Sequence, residues 1–523
     1  MARKRAINVC STCHERKIRC DLDTTTSPCS NCREYRSECT PRTRKPYRST
    51  NRNKKNENVN PEEKAPPDTV DISRSVSQLD QTRIVASVVT QPSSRTTSIY
   101  VGESGYGAIF DMLRPESPKR RHITINGRAD AALNPEDLEY LWLKGCFELP
   151  TESNDLLAAY FRFVHPIFPV LDGPSFLRDH ASGGLGRLNL LLLWSMFSVS
   201  ASYVPACSDK ETKASFVTRG NVLFELGGEN DKLVLVQSAL LLSFWFDDAE
   251  DIKQSWYWSG IAFSISQTLG LHRTPMPDAR QIFRAEYHVW RNAWHCCMLR
   301  DTWLSYSMGR PLRLDEAARS TTLPLMAECR FQDVKLQGNS VYSEAEAEGF
   351  EKMWRTSVTA ANMLRQFLSS RTTEPPVFSN RVKDSLQVQE DICSSLLLSL
   401  CYRHLRLCQN AAMIAICQLS GDKEMAETAA DGIITTVQSY HDDDTIAYVP
   451  PTVVPLIMPA MLISISALKS TELYKRELGE RRLSCCLHLL ETIERTYPAA
   501  LIVKQLFLSV YSNIRTQDPS TPT

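Results

Sequence analysis

The amino-terminal stretch reads Cys10-Ser-Thr-Cys13-His-Glu-Arg-Lys-Ile-Arg-Cys20, and three more cysteines follow at Cys29, Cys32 and Cys39. The spacing is C-x2-C-x6-C-x8-C-x2-C-x6-C, so the same half occurs twice. A C-x2-C pair brings two thiolates to one metal ion, and structural zinc takes four ligands in a tetrahedron. Two zinc ions need eight ligand positions, so two of the six thiolates must bridge both metals. The spacing does not say which two.

The charge of the chain is divided unevenly along its length. The 523 residues contain 60 basic and 60 acidic side chains, which gives a formal net charge of zero. Residues 1–55 carry fifteen Lys and Arg against five Asp and Glu, a net charge of +10, and the remainder carries −10. A basic amino-terminal head on an acidic body is typical of a protein that meets a polyanion. On charge alone, a basic disordered tail is an equally good interpretation.

Four zones follow one another along the chain. Residues 1–45 form the cysteine-rich head, and residues 46–130 are rich in polar residues and are predicted to be a mostly disordered linker. Within that linker, Tyr100–Leu113 is a short patch that we expect could dock on the body. Residues 131–320 and 321–523 are predicted to be helical, with the last region packing on or continuing the same domain. The predicted fold class is a small zinc-stabilised head, a disordered linker and a large all-α domain.

Helical patterning supports the all-α prediction for the body. Asn134-Pro135-Glu136 combines an N-cap residue, a first-turn proline and an acidic residue, which together predict a helix start. Apolar residues then recur at helical spacing, for example Leu156, Leu157, Tyr160 and Val164. The most apolar stretches, 188–204 and 453–468, are interrupted by serines or prolines. We therefore expect core helices there, with neither a membrane span nor an amino-terminal secretory signal.

The head resembles the fungal Zn2Cys6 binuclear-cluster transcription factors. The resemblance rests on all six cysteines and on the residue types between them, including Ser27-Pro-Cys29-Ser-Asn-Cys32. It implies that two zinc ions are bound, that Cys10 and Cys29 are the bridging ligands, and that short CGG-like triplets are read in the major groove. It also implies that Lys17, four residues after Cys13, makes the main base contacts, with Arg16 in the neighbouring family position.

The basic residues of the head independently suggest a DNA-binding surface. Arg16, Lys17 and Arg19 lie between two of the cysteines, and a Lys or Arg reaching a guanine edge is the commonest specific contact. We assign phosphate contact to basic residues further along, which would add salt-sensitive affinity. These residues are Arg33, Arg36, Arg42, Arg44 and Lys45.

The body is similar to the fungal-specific transcription factor domain, also called the middle homology region. The similarity is carried by Tyr140–Pro150, by Tyr160–Asp172, by Gly260–Arg273 and by Gly309-Arg-Pro311. The run of arginines and the double tryptophan usual in the family are reduced here to Trp290-Arg291 and Trp294-His295. Within the family, the branch of cutinase-type regulators is the most similar.

The resemblance implies a nuclear, sequence-specific regulator of RNA polymerase II transcription that acts on metabolic or secondary-metabolite genes. The expected partners are double-stranded DNA and the transcription machinery, and no membrane is expected. The alternative is a helical scaffold or corepressor that its head tethers to DNA with little base specificity. No phosphate loop, nucleophile elbow or zinc-protease motif is present, so an enzyme is not expected. The linker has about one heptad-like repeat, Ile72, Val76 and Leu79, which leaves open a monomer or a homodimer through the body.

Overall fold

The computed structural model of the chain describes the following residues: 10–15, 28–34, 39–40, 96–101, 122–126, 133–226, 229, 231–246, 254–273, 287–313, 331–370 and 395–517. These residues belong to two compact units, Met1–Val70 and Asp71–Thr523. Within its described residues, the first unit has two short helices, α1 (Ser11–Glu15) and α2 (Ser30–Glu34). Each follows the first cysteine of a C-x2-C pair, so the repeated sequence gives a repeated local structure.

The second unit, here called the body, is built mainly of α-helices, which confirms the expected fold class. Helix lengths rise towards the carboxyl-terminal half, where most helices have sixteen or more residues. The helices are α3 (Pro135–Leu143), α4 (Ser153–Ala159), α5 (Gly173–Gly183), α6 (Leu190–Ser200), α7 (Lys210–Glu225), α8 (Lys232–Leu242), α9 (Ser255–Leu269), α10 (Tyr287–Met308), α11 (Glu344–Ser370), α12 (Leu396–Ser420), α13 (Lys423–Asp442), α14 (Val453–Leu468), α15 (Leu473–Ile493) and α16 (Pro498–Gln517).

Capping side chains fix where several of these helices begin. The predicted start at Asn134 is confirmed, because its side chain accepts a 2.7 Å hydrogen bond from the Asp137 amide and Pro135 is the first helical residue. Asp209 caps α7 in the same way by accepting from the Thr212 amide at 2.8 Å. Such caps satisfy amide groups that have no partner inside the helix. Local sequence therefore sets the ends of elements whose stability comes from packing.

Three clusters of buried apolar side chains stabilise the body. The first joins residues from Leu157 to Leu405, the second residues from Trp303 to Phe507, and the third residues from Leu141 to Leu223. The first cluster includes side chains on both sides of residue 320, so the regions expected at 131–320 and 321–523 share a core. Helix α6 is buried along all eleven residues. Among the described residues, no helix is long and apolar enough to cross a membrane.

Part of the stretch expected as a disordered linker is ordered against the body. Strands β1 (Thr96–Tyr100) and β2 (His122–Asn126) pair antiparallel, with Tyr100 opposite His122. The His122 Nε2 atom lies 3.2 Å from the Gly270 carbonyl oxygen, and the Tyr100 ring packs edge-on against His272. Gly270 ends α9 with φ of +76°, where a Cβ atom would lie 2.5 Å from both strands' side chains. Tyr100 therefore docks as expected, while 102–113 lie outside the described residues.

A second, shorter pair of strands precedes the long helix α11. Strand β3 (Lys335–Leu336) pairs antiparallel with β4 (Asn339–Ser340). Four residues are too few to form a core of their own, and the flanking Phe331 and Tyr342 are instead buried in the first cluster. This turn therefore adds to the helical body without changing its class.

Candidate zinc centre

The first cysteine of each half lies in the same position relative to its helix. The Cys13 amide donates a 3.4 Å hydrogen bond to the Cys10 Sγ atom, and the Cys32 amide donates a 3.5 Å bond to the Cys29 Sγ atom. Each acceptor sulfur thus lies at the amino-terminal end of a helix, where backbone N–H groups favour negative charge. The two halves of the sequence repeat therefore present equivalent sulfur atoms.

The sulfur atoms of the head are brought together across the two halves. Cys10 Sγ lies 3.8 Å from Cys29 Sγ and 3.6 Å from Cys32 Sγ, and Cys13 Sγ lies 3.5 Å from Cys29 Sγ. The Sγ atoms of Cys10, Cys29, Cys32 and Cys39 all lie within 4.8 Å of one another. A disulfide would need about 2.05 Å. These separations therefore correspond to neighbouring ligands and exclude disulfides between these pairs.

The spacing of these sulfurs fits tetrahedral zinc. Zn–S bonds of about 2.3 Å at tetrahedral angles place neighbouring sulfurs about 3.8 Å apart. Four sulfurs within 4.8 Å can close around one ion. Cys29 also lies within ligand-to-ligand distance of Cys13, which is outside that set of four. The donor set of thiolates is the one that structural zinc prefers.

A further contact, which the cysteine spacing does not predict, joins the two ends of the head. The Ser11 amide donates to the Thr40 carbonyl at 3.0 Å, and the two hydroxyl groups lie 3.4 Å apart. The Cys29 amide donates to Cys39 Sγ at 3.3 Å, which holds the last cysteine against the second half. In the sequence, this closure is indicated only by a small hydroxyl residue after each outer cysteine, Ser11 after Cys10 and Thr40 after Cys39. The closure positions Cys39 within the four-sulfur set.

Of the residues assigned to DNA, the structure describes one. The Arg33 side chain is exposed, and its Nη2 atom donates to the Pro28 carbonyl at 3.3 Å. That bond holds the guanidinium beside the loop that precedes Cys29. The other assigned residues, and one predicted zinc ligand, lie outside the described residues: Arg16, Lys17, Arg19, Cys20, Arg36, Arg42, Arg44 and Lys45.

Two buried titratable residues of the body, His165 and Asp301, are packed against rings or paired with cations. His165 is fully buried among aromatic rings, and burial lowers its pKa to about 4. Asp301 is almost fully buried and pairs with Arg313 at 2.8 Å and with Arg365 at 3.0 Å. This is the structural ion pairing expected of a buried carboxylate, and Glu286 lies outside the described residues.

Comparisons with known proteins agree with the geometry of both units. The fungal Zn(2)-Cys(6) binuclear cluster domain matches residues 8–49, and the fungal specific transcription factor domain matches residues 157–410, across the boundary expected at 320. Together the two matches place a zinc-cluster domain in the head and a fungal specific transcription factor domain in the helical body. The chain therefore carries both domains found in the fungal Zn2Cys6 transcription factors, whose cluster binds two zinc ions.

Individual relatives are regulators from several pathways. Cutinase transcription factor 1 alpha of Fusarium vanettenii is 24% identical over 98% of this chain and 65% of the relative. Cutinase transcription factor 1 beta of the same organism is 32% identical over 39% of the chain and 24% of the relative. The acetamidase regulatory protein of Emericella nidulans is 31% identical over 32% of the chain and 21% of the relative. The chain thus spans less than two thirds of the length of each of these relatives.

Proposed function

We propose that the chain is a nuclear, sequence-specific regulator of RNA polymerase II transcription that binds DNA through its zinc-stabilised head. The observation that carries the proposal is the cluster of sulfur atoms contributed by both halves of the head. The relatives are named as a cutinase transcription factor, an acetamidase regulatory protein and a fusaric acid cluster transcription factor, and these names support a pathway-specific role. The helical body then serves regulation, in keeping with its fungal specific transcription factor domain.

The proposed zinc ligands are all six cysteines of the head, with Cys10 and Cys29 shared by both ions. Both belong to the four-sulfur set, and Cys29 also lies 3.5 Å from the Cys13 sulfur outside it. Both accept the same backbone hydrogen bond at the start of a helix. With four thiolates on each ion, both sites are closed and structural, so the zinc supplies folding energy and no open position for catalysis.

Lys17 is the proposed base-reading residue, with Arg16 and Arg19 beside it in the sequence. Helix α1 ends at Glu15, two residues before Lys17. The zinc cluster fixes α1 through Cys10 and Cys13, so the segment that follows starts from a defined position. The remaining basic residues of the head neutralise phosphates and provide affinity without base choice. The basic run 42–55 also suits nuclear import.

The test is a comparison of Lys17→Ala with Lys54→Ala in the full chain. Binding to a duplex with a CGG triplet and to one with the triplet scrambled is measured at several salt concentrations. Lys17→Ala should reduce the preference for the triplet by about 1–3 kcal/mol, because it removes a base contact. Lys54→Ala should weaken both duplexes equally and lower the salt slope by about one.

Full sequence preference in the Lys17→Ala protein would refute the assignment of this residue. Equal binding of both duplexes by the unmodified chain would favour the alternative, a DNA-tethered scaffold with little base specificity. The same titrations give the stoichiometry, which is one chain for each site if the protein acts as a monomer. Two chains for each site would support the homodimer through the body.

A further inference from the structure

A cavity of about 230 Å³ lies in the body where its core clusters meet. Its walls come from helices α6, α7, α10, α14 and α16 and from the residues that follow α8. Helix α10 connects the clusters, because Met298 belongs to the first and Trp303 to the second. Most lining side chains are apolar, among them Val199, Met458 and Val503.

Two basic residues interrupt this apolar lining. Lys213 is 3% exposed and Arg300 is 6% exposed, although side chains of this kind are rarely buried without an ionic partner. Among the described residues that line the cavity, none is acidic. Neither cation forms a salt bridge within the described part of the chain. The carboxylate that acts on Lys213 through space is that of Asp209, the residue that caps α7 one turn earlier.

The two cations lie over neighbouring aromatic residues. The Lys213 ammonium lies 5.9 Å from the Trp245 ring centre and 4.9 Å from that of Tyr497, and it donates to the Thr496 carbonyl. The Arg300 guanidinium lies 4.2 Å from the Phe244 ring centre, and its Nε atom donates to Ser243 Oγ at 2.9 Å. Phe244 and Trp245 are consecutive in the chain, and both cations and both rings line the same cavity.

The aromatic rings and neutral oxygen atoms around Lys213 and Arg300 compensate the two positive charges only in part. Burial lowers the pKa of Lys213 to about 8 and that of Arg300 to about 9, because both lose hydration without gaining a carboxylate. An anion placed between them would restore the missing counter-charge in a setting of low dielectric constant. The apolar remainder of the cavity would cover a hydrocarbon portion of the same molecule.

We propose that this cavity binds a small organic anion, a carboxylate with an apolar body, with its carboxylate held by Lys213 and Arg300. At about 30 Å³ of liquid volume for each water molecule, the cavity volume corresponds to roughly eight waters. A ligand of about ten non-hydrogen atoms therefore matches the space, and octanoate has that size. The site lies partly outside the residues matched by the fungal specific transcription factor domain, since Met458 and Val503 follow residue 410.

The first test uses calorimetric titration of the full chain with octanoate and with 1-octanol. The two probes have the same hydrocarbon body, but only octanoate carries the charge. Octanoate should bind at one site with a Kd at least tenfold lower than that of 1-octanol. Equal binding of the two probes, or no binding of octanoate, would overturn the proposal.

The second test assigns the site with variants. Lys213→Met should remove most of the preference for octanoate and leave 1-octanol binding unchanged, whereas Lys469→Met, at an exposed position, should keep the full preference. Val503→Phe fills the apolar end while both cations stay in place, so it should weaken both probes by similar factors. This variant locates the site even if Lys213→Met fails to fold. Persistence of the octanoate preference in a folded Lys213→Met protein, or unchanged binding by Val503→Phe, would contradict the proposal.

Discussion

The head and the body of this protein hold together by opposite means. In the head, the buried side chains of the described residues are cysteines whose sulfurs lie next to one another, and its two helices have five residues each. In the body, clusters of apolar side chains surround long helices. The head therefore owes its fold to a metal ion, because so few residues cannot bury enough apolar surface. The body is stabilised by packing, so buried charged residues such as Lys213 and Arg300 are available for ligand binding.

Removal of zinc should have the largest effect and should separate the two regions. Structural zinc contributes about 10–16 kcal/mol to small domains of this kind. Treatment of the full chain with a chelator should make the amide groups of residues 10–40 exchange with solvent as in an unfolded chain. Hydrogen exchange with mass spectrometry checks this, and the body peptides serve as the internal control. Protection that persists in the head without metal would contradict a metal-dependent fold.

A buried ion pair should give the next largest effect, now confined to the body. Asp301→Asn removes the counter-charge of Arg365, which is fully buried, and that of Arg313. The free energy of unfolding should fall by about 3–5 kcal/mol, because a buried cation is left uncompensated. Urea unfolding of the full chain measures the change.

The matched control for this ion pair is Asp443→Asn. Asp443 pairs with Arg403 but is itself 54% exposed. Solvent screens that pair, so its loss should change the unfolding free energy by less than about 1 kcal/mol. Similar losses at Asp301 and Asp443 would mean that burial does not determine the strength of these pairs.

The pH dependence of stability should give a smaller effect, specific to Lys213. Its pKa is about 8 in the folded chain and near 10.5 when exposed, so the unfolded chain binds more protons between these values. Stability of the wild type relative to Lys213→Met should therefore rise with pH from about 8 to 10, by at most about 1.4 kcal/mol for each pH unit. The charged and titratable groups around this position, Asp209 at the cap of the helix, Arg300 in the cavity and Tyr497 beside the ammonium, are present in both proteins. A difference that is flat with pH would contradict the burial of a charged Lys213.

The regions differ as well in how far the sequence predicts them. In the head, cysteine spacing alone predicts a metal cluster with shared thiolates, because ligand number is a local count. The identity of the shared pair came from family resemblance, and the sulfur distances around Cys29 support it. In the body, Asn134-Pro135-Glu136 predicts a helix start correctly for the same reason, since a cap and its amide are neighbours in the chain.

The sequence predicts features that depend on distant residues only in part: it indicates that the patch beginning at Tyr100 docks on the body, but it does not indicate the strand pairing with His122. The strand pair at Tyr100 and His122 lies in a polar stretch without clear alternation, and it docks on Gly270, 148 residues beyond His122. Lys213 and Arg300 look like solvated residues in the sequence, since each lies on a helix with other polar residues. Only packing of helices far apart in the chain removes them from water and places them at one cavity.

If the head is a binuclear cluster, its two halves share two thiolates between two metal ions. The most direct measurement is the NMR spectrum of ¹¹³Cd in the full chain after cadmium replaces zinc. We expect two cadmium signals that are coupled to each other through the bridging sulfurs of Cys10 and Cys29. A single signal, or two signals without mutual coupling, would contradict a shared cluster.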